Sequence, residues 1–218
     1  MVIKMISKIK KLLSNNYKWI ICFICLILFL LLAEDVFNND IMNGDIIGYK
    51  FISTYLINDT VTPIMKVITW FGSGVCLITS AILLFILIKN RKIGFLIVNN
   101  LICITLFNQI FKFILHRPRP TEFRIIDETG YSFPSGHSMV SMAFYGFLIY
   151  LIYKSVKNRY LKYSLMSILF ILIILIGISR IYLGVHYTSD VIAGFLISIS
   201  YLVLYVGITK KLCFSNEN

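Results

Sequence analysis

Charged residues are scarce in this 218-residue chain: Asp, Glu, Lys and Arg make up 14% of it, whereas hydrophobic residues make up 58%. A mean hydropathy of +0.84 is too high for an ordinary soluble domain. The sequence also has no repeat with a period of roughly 20–50 residues, no low-complexity tract and no polar linker long enough to separate two domains. We therefore expect a single membrane-embedded domain over residues 1–218.

Six apolar runs approach or exceed the length of about 20 residues that a helix needs to cross a bilayer. They are residues 18–33, 67–88, 93–115, 136–153, 161–178 and 188–209. The first run is not followed by a small-x-small cleavage pattern, and five more runs come after it, so we expect an uncleaved anchor rather than a signal peptide. The predicted fold class is an all-α integral membrane protein with six transmembrane helices.

The segment 45–57, DIIGYKFISTYLI, lies between the first two runs. An amphipathic helix would place five of its side chains on one broad apolar stripe: Ile46, Ile47, Ile52, Tyr55 and Leu56. Such a stripe is typical of a helix that lies on the membrane surface. We expect an extracytoplasmic interfacial helix here, with a plain connecting loop as the alternative.

The five cysteines form neither a disulfide framework nor a zinc-binding pattern. Four of them lie inside apolar runs, and the CxxC of Cys22 and Cys25 has no further Cys or His ligands near it in the sequence. We expect these two side chains to face lipid or to pack between helices, and we expect no metal site.

Acidic residues are nearly absent from one side of the predicted membrane topology. Six spans place the two tails and the loops 89–92 and 154–162 on this side, which holds fourteen Lys or Arg and one acid, Glu217. The other side holds seven Lys or Arg and nine acids. Because cytoplasmic loops are enriched in Lys and Arg, the sequence predicts a multi-pass cell-membrane protein with both termini in the cytoplasm. Topology and anionic lipids explain the net charge of +11, and nucleic-acid binding is not needed.

Five of the seven outer cations break this rule in one cluster, and we expect a site there: Lys112, Arg117, Arg119, Arg124 and Arg180. The stretch KFILHRPRP (112–120) ends the third run. The stretch FPSGHS (133–138) begins the fourth, where Gly136 allows a ligand to approach the backbone and a helix N-terminus offers free amides to an anion. The stretch SRIYLGVHYTSD (179–190) joins the last two runs.

His186 and Asp190 are four residues apart, so a helix would place them on one face with Cβ atoms about 5–6 Å apart. Asp190 can then accept a hydrogen bond from one ring nitrogen and leave the other with a free lone pair, as a nucleophile or general base requires. The cations Lys112, Arg119 and Arg180 have few acids near them in the sequence. A bound phosphoryl group would relieve their mutual repulsion.

These three stretches together resemble the three-part signature of the type 2 phosphatidic acid phosphatase superfamily. Its members are membrane lipid phosphate phosphatases whose active site is shared with soluble acid phosphatases and vanadium haloperoxidases. Every signature position is filled at the family spacing, and three motifs in a fixed order are far more specific than any one of them. The matching motifs are Lys112-x6-Arg119-Pro120, Pro134-Ser135-Gly136-His137 and Ser179-Arg180-x5-His186-x3-Asp190.

The resemblance implies a helical-bundle phosphatase core over 93–209 and a metal-independent, two-step phosphoryl transfer without a cofactor. His186 would attack phosphorus and form a phosphohistidine, Asp190 would orient it, and His137 would protonate the departing lipid oxygen and then help to activate water. Phosphoryl transfer depends on positioning and on electrostatic stabilisation, which preorganised cations supply. The groups that would hold the phosphate are Lys112, Arg119, Ser135, Gly136 and Arg180.

The substrate implied by the resemblance is a lipid phosphate or diphosphate hydrolysed at the extracytoplasmic membrane face. Undecaprenyl diphosphate or phosphatidylglycerophosphate is the preferred expectation, with phosphatidic acid and diacylglycerol pyrophosphate as further candidates. Two alternatives stay open. A vanadate-type haloperoxidase would use the same residues, although six spans argue against it, and a non-enzymatic phospholipid-binding or transport protein would leave the pair of His186 and Asp190 unexplained. The sequence makes no prediction of the oligomeric state.

Several residues near the signature lie outside it. For His116 we favour a role in the loop or at the interface over catalysis. Arg117 and Arg124 would either attract an anionic head group or sit in solvent. Thr105 and Asn108 share a helical face with Lys112, where these polar side chains would line a substrate groove or, as we prefer, make hydrogen bonds between helices.

Overall fold

The structure, a computed structural model, describes residues 2–38, 42–121 and 124–213, with side chains from residue 16 to residue 210 within those ranges. The regular secondary structure of this part of the chain is helical throughout. Its helices are α1 (Val2–Phe37), α2 (Asn43–Tyr55), α3 (Val61–Trp70), α4 (Gly74–Leu87), α5 (Arg91–Leu115), α6 (Gly136–Ser155), α7 (Arg159–Tyr182) and α8 (Thr188–Cys213).

Segments of five helices are long and apolar enough to cross a membrane. They are Asn16–Phe37, Arg91–Leu115, Gly136–Ser155, Arg159–Tyr182 and Thr188–Lys210. Each agrees with one of the predicted runs, with ends that differ by a few residues. Apolar side chains are widely exposed on their outer faces, Phe23 and Ile102 among them. Such exposure is expected of helices whose solvent is hydrocarbon, because lipid covers these faces. The multi-pass, all-α membrane fold is therefore confirmed.

The second predicted run, 67–88, is not one straight helix. It is divided between α3 and α4, which are bent by 47° relative to each other. The bend lies at Gly72: a Cβ on this residue would come within 2.7 Å of Ile176 on α7 and 3.2 Å of the His137 ring on α6. Ser73 then begins α4, since its hydroxyl accepts a hydrogen bond from a backbone amide of the first turn. Counted as one, the two short helices bring the number of candidate spans in the described residues from five to six.

Helix α6 is the centre of the bundle and packs against α5, α7 and α8. Small buried side chains on α6, Ser138, Ser141 and Ala143, allow its neighbours to approach closely. The largest cluster of buried apolar residues joins α4 through α8 and includes Leu77, Ile97, Phe144, Phe147 and Ile176. Helix α1 packs against α8 on the outside of this core.

Helix α2 confirms the predicted short helix over the loop alternative, although its bounds are shifted from 45–57 to Asn43–Tyr55. Ile46, Ile47 and Tyr55 of the predicted stripe are exposed. The prediction is wrong for Ile52, which is buried in a cluster with residues of α7, and for Leu56, which packs against that cluster. The stripe is thus divided between an outward apolar face and an inward face that contacts the bundle.

The inward face of α2 lies directly against the start of α8. A Cβ on Gly48 would fall 2.2 Å from the Thr188 hydroxyl oxygen, so only a glycine lets the two helices come this close. Because successive long helices run antiparallel, the ends of α5 and α7 and the starts of α6 and α8 meet at the same end of the bundle as α2. We call this the site end.

Candidate active site

His186 lies between α7 and α8 and is 2% exposed. Its Nε2 receives a hydrogen bond from Arg119 Nη1, at 3.1 Å. Since a guanidinium can only donate, Nε2 must be unprotonated and the ring proton must be on Nδ1. Burial lowers the pKa of His186 to about 4; Arg180 and Arg119 act in the same direction, and Asp190 opposes them. The imidazole is thus neutral at physiological pH, in the tautomer that a nucleophilic Nε2 requires.

The Asp190 carboxylate is held on both oxygens. Oδ2 lies 3.3 Å from His186 Nδ1 and accepts a 2.8 Å hydrogen bond from the Tyr187 amide. Oδ1 accepts a 2.6 Å hydrogen bond from Arg117. The Ser132 hydroxyl lies 3.2 Å from His186 Nδ1 and donates a short hydrogen bond to Oδ2 of Asp190. The predicted pairing of Asp190 with His186 is therefore present in the structure, and a serine bridges the two side chains.

Arg119 is oriented by the backbone that surrounds it. Its Nε donates to the carbonyl of Gly130, Nη1 to that of Val185 and Nη2 to that of Thr129, each at 3.0 Å. Burial lowers the pKa of Arg119, and Glu128 and Asp190 oppose this effect. The side chain is therefore fixed beside His186 before any ligand arrives, which is the preorganisation that electrostatic catalysis needs.

Arg180, at the end of α7, is 1% exposed and reaches across to two other elements. Its Nη1 donates to the Thr69 hydroxyl of α3 at 2.7 Å, and its Nη2 pairs with Glu128 at 2.5 Å. The other oxygen of Glu128 lies 4.0 Å from Arg119 Nη2. One carboxylate therefore already stands between two of the predicted phosphate-binding arginines.

Glu128 corrects the expectation that few acids lie near these cations. Burial alone would raise the pKa of this carboxyl, but the Arg180 and Arg119 guanidinium groups outweigh it and hold the pKa below its ordinary value. Glu128 is therefore an anion at neutral pH. The side chain is about a third exposed, whereas Arg180 is almost completely buried. The anion position is thus open on one side and walled by guanidinium groups on the other.

The remaining predicted residues surround the same position. The charged neighbours of Lys112 include Arg119, Glu128 and Asp190. Those of His137 include Arg180, Lys112 and Arg119. Both side chains are partly exposed. The two residues approach from α5 and α6, so the cluster receives side chains from three long helices, α5, α6 and α7.

The start of α6 is anchored to its neighbours through backbone groups. The Ser135 amide donates to the Asp190 carbonyl at 3.1 Å, and Asn108 Nδ2 donates to the Pro134 carbonyl at 3.1 Å. A Cβ on Gly136 would fall 3.1 Å from Asn108 Oδ1, so this glycine permits close approach of α5. The preferred expectation of hydrogen bonds between helices is confirmed for Asn108, whose Nδ2 also donates to Met139 Sδ of α6 at 3.4 Å, and is wrong for Thr105, whose hydroxyl donates to the Leu101 carbonyl of α5 itself. The Ser135 hydroxyl accepts from Ser138 at 3.0 Å and does not cap the helix, which leaves its own proton for another acceptor.

The predictions for three residues outside the signature, Arg117, Arg124 and His116, have different outcomes. For Arg117, both predicted alternatives are wrong: it is 6% exposed and forms ion pairs with Asp45 and Asp190. Arg124 is exposed, as one alternative held. His116 ends α5 in the left-handed conformation, with φ of 46°, and its exposed ring packs edge-on against Tyr131. The predicted loop role of His116 agrees with this position.

Sequence reasoning missed four residues at the site end: Asp45, Thr69, Glu128 and Ser132. None belongs to the three motifs, and each comes from a segment whose approach to the site depends on tertiary folding. A lone acid at the start of an otherwise apolar amphipathic helix was the available signal for Asp45. For Glu128 there was none, because Asp127 beside it is equally acidic.

Comparison with known proteins identifies the family. The profile of the PAP2 superfamily matches residues 93–212. This range contains the three motifs and the four helices that carry them. The chain belongs to the PAP2 superfamily. The predicted family is thereby confirmed.

Two curated relatives are similar to this PAP2 protein. Phosphatidylglycerophosphatase B of Bacillus subtilis (strain 168) is 30% identical over 108 residues, which cover 49% of this chain and 53% of that protein. Undecaprenyl-diphosphatase of Sulfolobus acidocaldarius is 30% identical over 209 residues, which cover 90% of this chain and 94% of that protein. The first match spans only about half of its relative, whereas the second spans nearly the whole of both chains.

Two solved structures share the fold. The crystal structure of a transmembrane PAP2-type phosphatidylglycerolphosphate phosphatase from Bacillus subtilis has a TM-score of 0.76 at 27% identity, covering 88% of this chain and 96% of that one. That of Aquifex aeolicus LpxE has a TM-score of 0.58 at 24% identity, covering 73% and 92%. The second likeness concerns the fold alone. The first covers more of the chain than the family match to residues 93–212 does.

Among the described residues, no group of three or more His, Cys, Asp or Glu is placed to hold a metal ion. Cys22 and Cys25 are both buried. The Cys22 thiol is directed at the Ser200 carbonyl of α8, and the Ser200 hydroxyl bonds to the carbonyl of Cys22 at 3.0 Å. Packing between helices, one of the two predicted roles, therefore describes this pair.

Proposed function

We propose that this PAP2 phosphatase hydrolyses a lipid phosphate or diphosphate at the extracytoplasmic membrane surface through a phosphohistidine on His186. The observation that carries the proposal is the position of Glu128. Its carboxylate pairs with Arg180 and approaches Arg119, whose Nη1 in turn touches His186 Nε2. A phosphoryl group in place of that carboxylate would meet both guanidinium groups with a nucleophile beside it.

In the first step, His186 Nε2 attacks phosphorus and the bond between phosphorus and the lipid oxygen breaks. His137 gives its proton to that oxygen, which leaves as the alcohol or, from a diphosphate, as the monophosphate. The Nδ1 proton of His186 stays between Ser132 and Asp190, which compensate the positive charge that forms on the ring. The transfer from His137 is thus the one proton movement that this step requires.

In the second step, water attacks phosphorus, His137 accepts a proton from it, and the bond between phosphorus and Nε2 breaks. Inorganic phosphate leaves and His186 returns to its neutral state. Throughout both steps, charge on the phosphoryl oxygens faces cations and hydrogen-bond donors fixed in advance, as a loose transition state requires. The groups proposed for this task are Lys112, Arg119, Ser135, the Gly136 amide and Arg180.

Two considerations support the extracytoplasmic location and the class of substrate. The bias of Lys and Arg in the sequence favours cytoplasmic termini, which would direct the site end outward. The partly exposed Glu128 and the apolar outer face of α2 suit a head group presented at that depth, with its chains in the bilayer. Undecaprenyl diphosphate is our first candidate, because the similarity to the Sulfolobus enzyme spans nearly the whole chain. Phosphatidylglycerophosphate is the second.

The test is release of inorganic phosphate from each of these two lipids by the purified protein in detergent, with EDTA present. We expect turnover of at least one lipid and a radiolabelled, acid-labile phosphoenzyme that His186→Ala does not form. Loss of activity with EDTA, or a phosphoenzyme retained by His186→Ala, would contradict the mechanism. Oxidation of bromide that depends on added vanadate would instead revive the haloperoxidase alternative.

A further inference from the structure

Asp45 is an unusual residue for its position. It lies in the first turn of α2 and is 2% exposed, although the exposed face of that helix is apolar. An isolated carboxylate is costly to bury, so its partners decide whether it is stabilising. These partners, Ser189 and Arg117, lie next to Asp190 of the predicted active site, which no sequence motif connects with α2.

Both oxygens of Asp45 are engaged. Oδ1 accepts a 2.7 Å hydrogen bond from the Ser189 amide. Oδ2 accepts from the Ser189 hydroxyl and from Arg117 Nη2, each at 2.8 Å. The Ser189 amide belongs to the first turn of α8, whose amides have no partner within that helix. Asp45 therefore caps α8 from another helix, one residue before Asp190.

Arg117 connects the two acids. One guanidinium nitrogen bonds Asp45, and the other bonds both Ser189 and Oδ1 of Asp190 at 2.6–2.7 Å. Its face also stacks on the Tyr187 ring, with the guanidinium carbon 4.1 Å from the ring centroid. Burial would lower the pKa of Arg117, but Asp190 and Asp45 together raise it. The guanidinium is thus locked between two carboxylates and leaves Oδ2 of Asp190 for the imidazole side.

We propose that Asp45 is a positioning residue for the nucleophile, acting through Arg117 on the orientation of Asp190 and thereby of His186. The proposal rests on the proposed function, since it assigns His186 as the group that attacks phosphorus. It makes α2 a part of the catalytic apparatus. Without Asp45, Arg117 keeps one of its two carboxylate partners, and the first turn of α8 loses its cap beside the residue that holds the imidazole.

The effect is expected on turnover rather than on substrate binding, because Asp45 contacts none of the proposed phosphate-binding groups. We expect Asp45→Asn to lower kcat by about 10- to 100-fold, the range expected when a reacting group is displaced by a fraction of an ångström to an ångström. KM should change less than about threefold in the same measurement. The control is Asp59→Asn, which removes an exposed acid between α2 and α3 and should leave both constants unchanged.

Two inhibitors separate positioning from general damage. Vanadate mimics the transition state by binding the nucleophile as a fifth ligand, whereas inorganic phosphate needs only the cations. Asp45→Asn should therefore weaken vanadate inhibition by about the same factor as kcat and leave phosphate inhibition within about twofold. In an Arg117→Met background, Asp45→Asn should have little further effect on kcat, because the connection is already broken.

The outcomes are distinguishable. If the wild-type protein forms no phosphoenzyme, the proposed function fails. If it does, and Asp45→Asn keeps wild-type kcat, or weakens vanadate and phosphate inhibition equally, the positioning role is wrong. Should Asp45→Asn not fold, Ser189→Ala removes one of the hydrogen bonds to Asp45 and keeps both charges. We then expect a severalfold lower kcat with unchanged phosphate inhibition, and a wild-type kcat would overturn the proposal.

Discussion

The site end and the opposite half of the bundle are built from the same long helices but are held together differently. At the site end, Arg117, Arg119, Arg180, Asp45 and Asp190 are all less than a tenth exposed and are paired with one another or with Glu128. In the other half, the buried polar contacts described are neutral. The Tyr205 hydroxyl donates to the Leu96 carbonyl at 2.7 Å and lies 3.1 Å from Asn99 Oδ1.

The difference shows what each half can tolerate. Neutral hydrogen bonds between membrane helices contribute about 0.6 kcal/mol on average, so the opposite half depends mainly on apolar packing and changes little when one bond is lost. Buried charges are costly unless every partner is present. The site end therefore gives up stability for a fixed arrangement of cations and acids, and loss of one charged partner should reduce both catalysis and the free energy of unfolding.

The largest loss of activity is expected for His186→Ala. Removal of a nucleophile should lower kcat by about 10⁴-fold or more. The fold should persist, because the ring makes no contact with the apolar core of the opposite half. The measurement is phosphate release by purified protein, with thermal unfolding of the same preparation. The matched control is His116→Ala, on the exposed histidine of the same face. Activity of the His186 variant within tenfold of wild type would contradict the assignment.

Arg180→Met should produce the next largest effect. It removes a donor from the developing charge on phosphorus, for which a loss of about 10²- to 10³-fold in kcat is usual. It also leaves Glu128 without its closest partner. Steady-state kinetics with the preferred lipid provide the measurement, and Arg124→Met, on an exposed arginine of the loop that carries Glu128, provides the control. If both variants behave alike, the buried cation has no special role.

The charge state of His186 can be measured directly. Because burial lowers its pKa to about 4, the neutral ring should persist as pH falls and be lost only on passing through about 4. At pH 5 roughly nine-tenths of the molecules should keep a neutral ring, against about 3% for a histidine with a pKa of 6.5. Ring ¹⁵N chemical shifts of the protein in detergent report this fraction. A protonated ring at pH 5 would show that the pocket admits water freely.

Glu128→Gln is expected to strengthen, rather than weaken, the binding of phosphate at the site end. The carboxylate competes with phosphate for Arg180 and Arg119, and its neutralisation should tighten inhibition by inorganic phosphate by about three- to tenfold, as expected for a charge pair of roughly 1 kcal/mol. Asp127→Asn, on the adjacent exposed acid, should not. Weaker inhibition in the Glu128 variant would mean that the carboxylate supports the arginines more than it competes with the anion.

The smallest effect is predicted for the opposite half. Tyr205→Phe removes a hydroxyl that bonds the Leu96 carbonyl and Asn99 Oδ1. The free energy of unfolding should fall by about 0.6–1.7 kcal/mol, and kcat/KM should stay within about twofold. Denaturant titration in mixed micelles alongside kinetics gives both values. A catalytic defect without loss of stability would show that the two halves are coupled.

Much of this architecture could be predicted from local properties of the chain. Apolar runs and helical spacing are features of adjacent residues, which is why five spans and the pairing of His186 with Asp190 follow from the sequence. The grouping of Lys112, Arg119, His137 and Arg180 follows from antiparallel spans joined at one end. The family match to residues 93–212 confirms that the motifs mark a PAP2 core.

The remainder depends on contacts between distant segments. Hydropathy shows that the run 67–88 is apolar but not that the chain bends within it, so the close approach of Gly72 to His137 could not be predicted. Asp45 reaches Ser189 across 144 positions of sequence, and nothing in its neighbourhood marks it as a partner of the site. Glu128 comes from an irregular loop. There the hydrogen bonds that Arg119 donates to the carbonyls of Thr129 and Gly130, rather than a helical period, decide which acid turns inward.

The hydrogen bond from Arg119 to His186 Nε2 has a consequence for the resting enzyme. The Nε2 lone pair that would attack phosphorus already accepts a hydrogen bond from Arg119, so the imidazole is a weaker nucleophile toward a neutral electrophile. An incoming phosphoryl group offers Arg119 Nη1 an anionic acceptor in place of Nε2 and so releases that pair, while the hydrogen bonds of Nε and Nη2 to backbone carbonyls keep Arg119 in position. A substrate with an anionic head group therefore activates the nucleophile. For a lipid without such a head group, Nε2 stays hydrogen-bonded to Arg119.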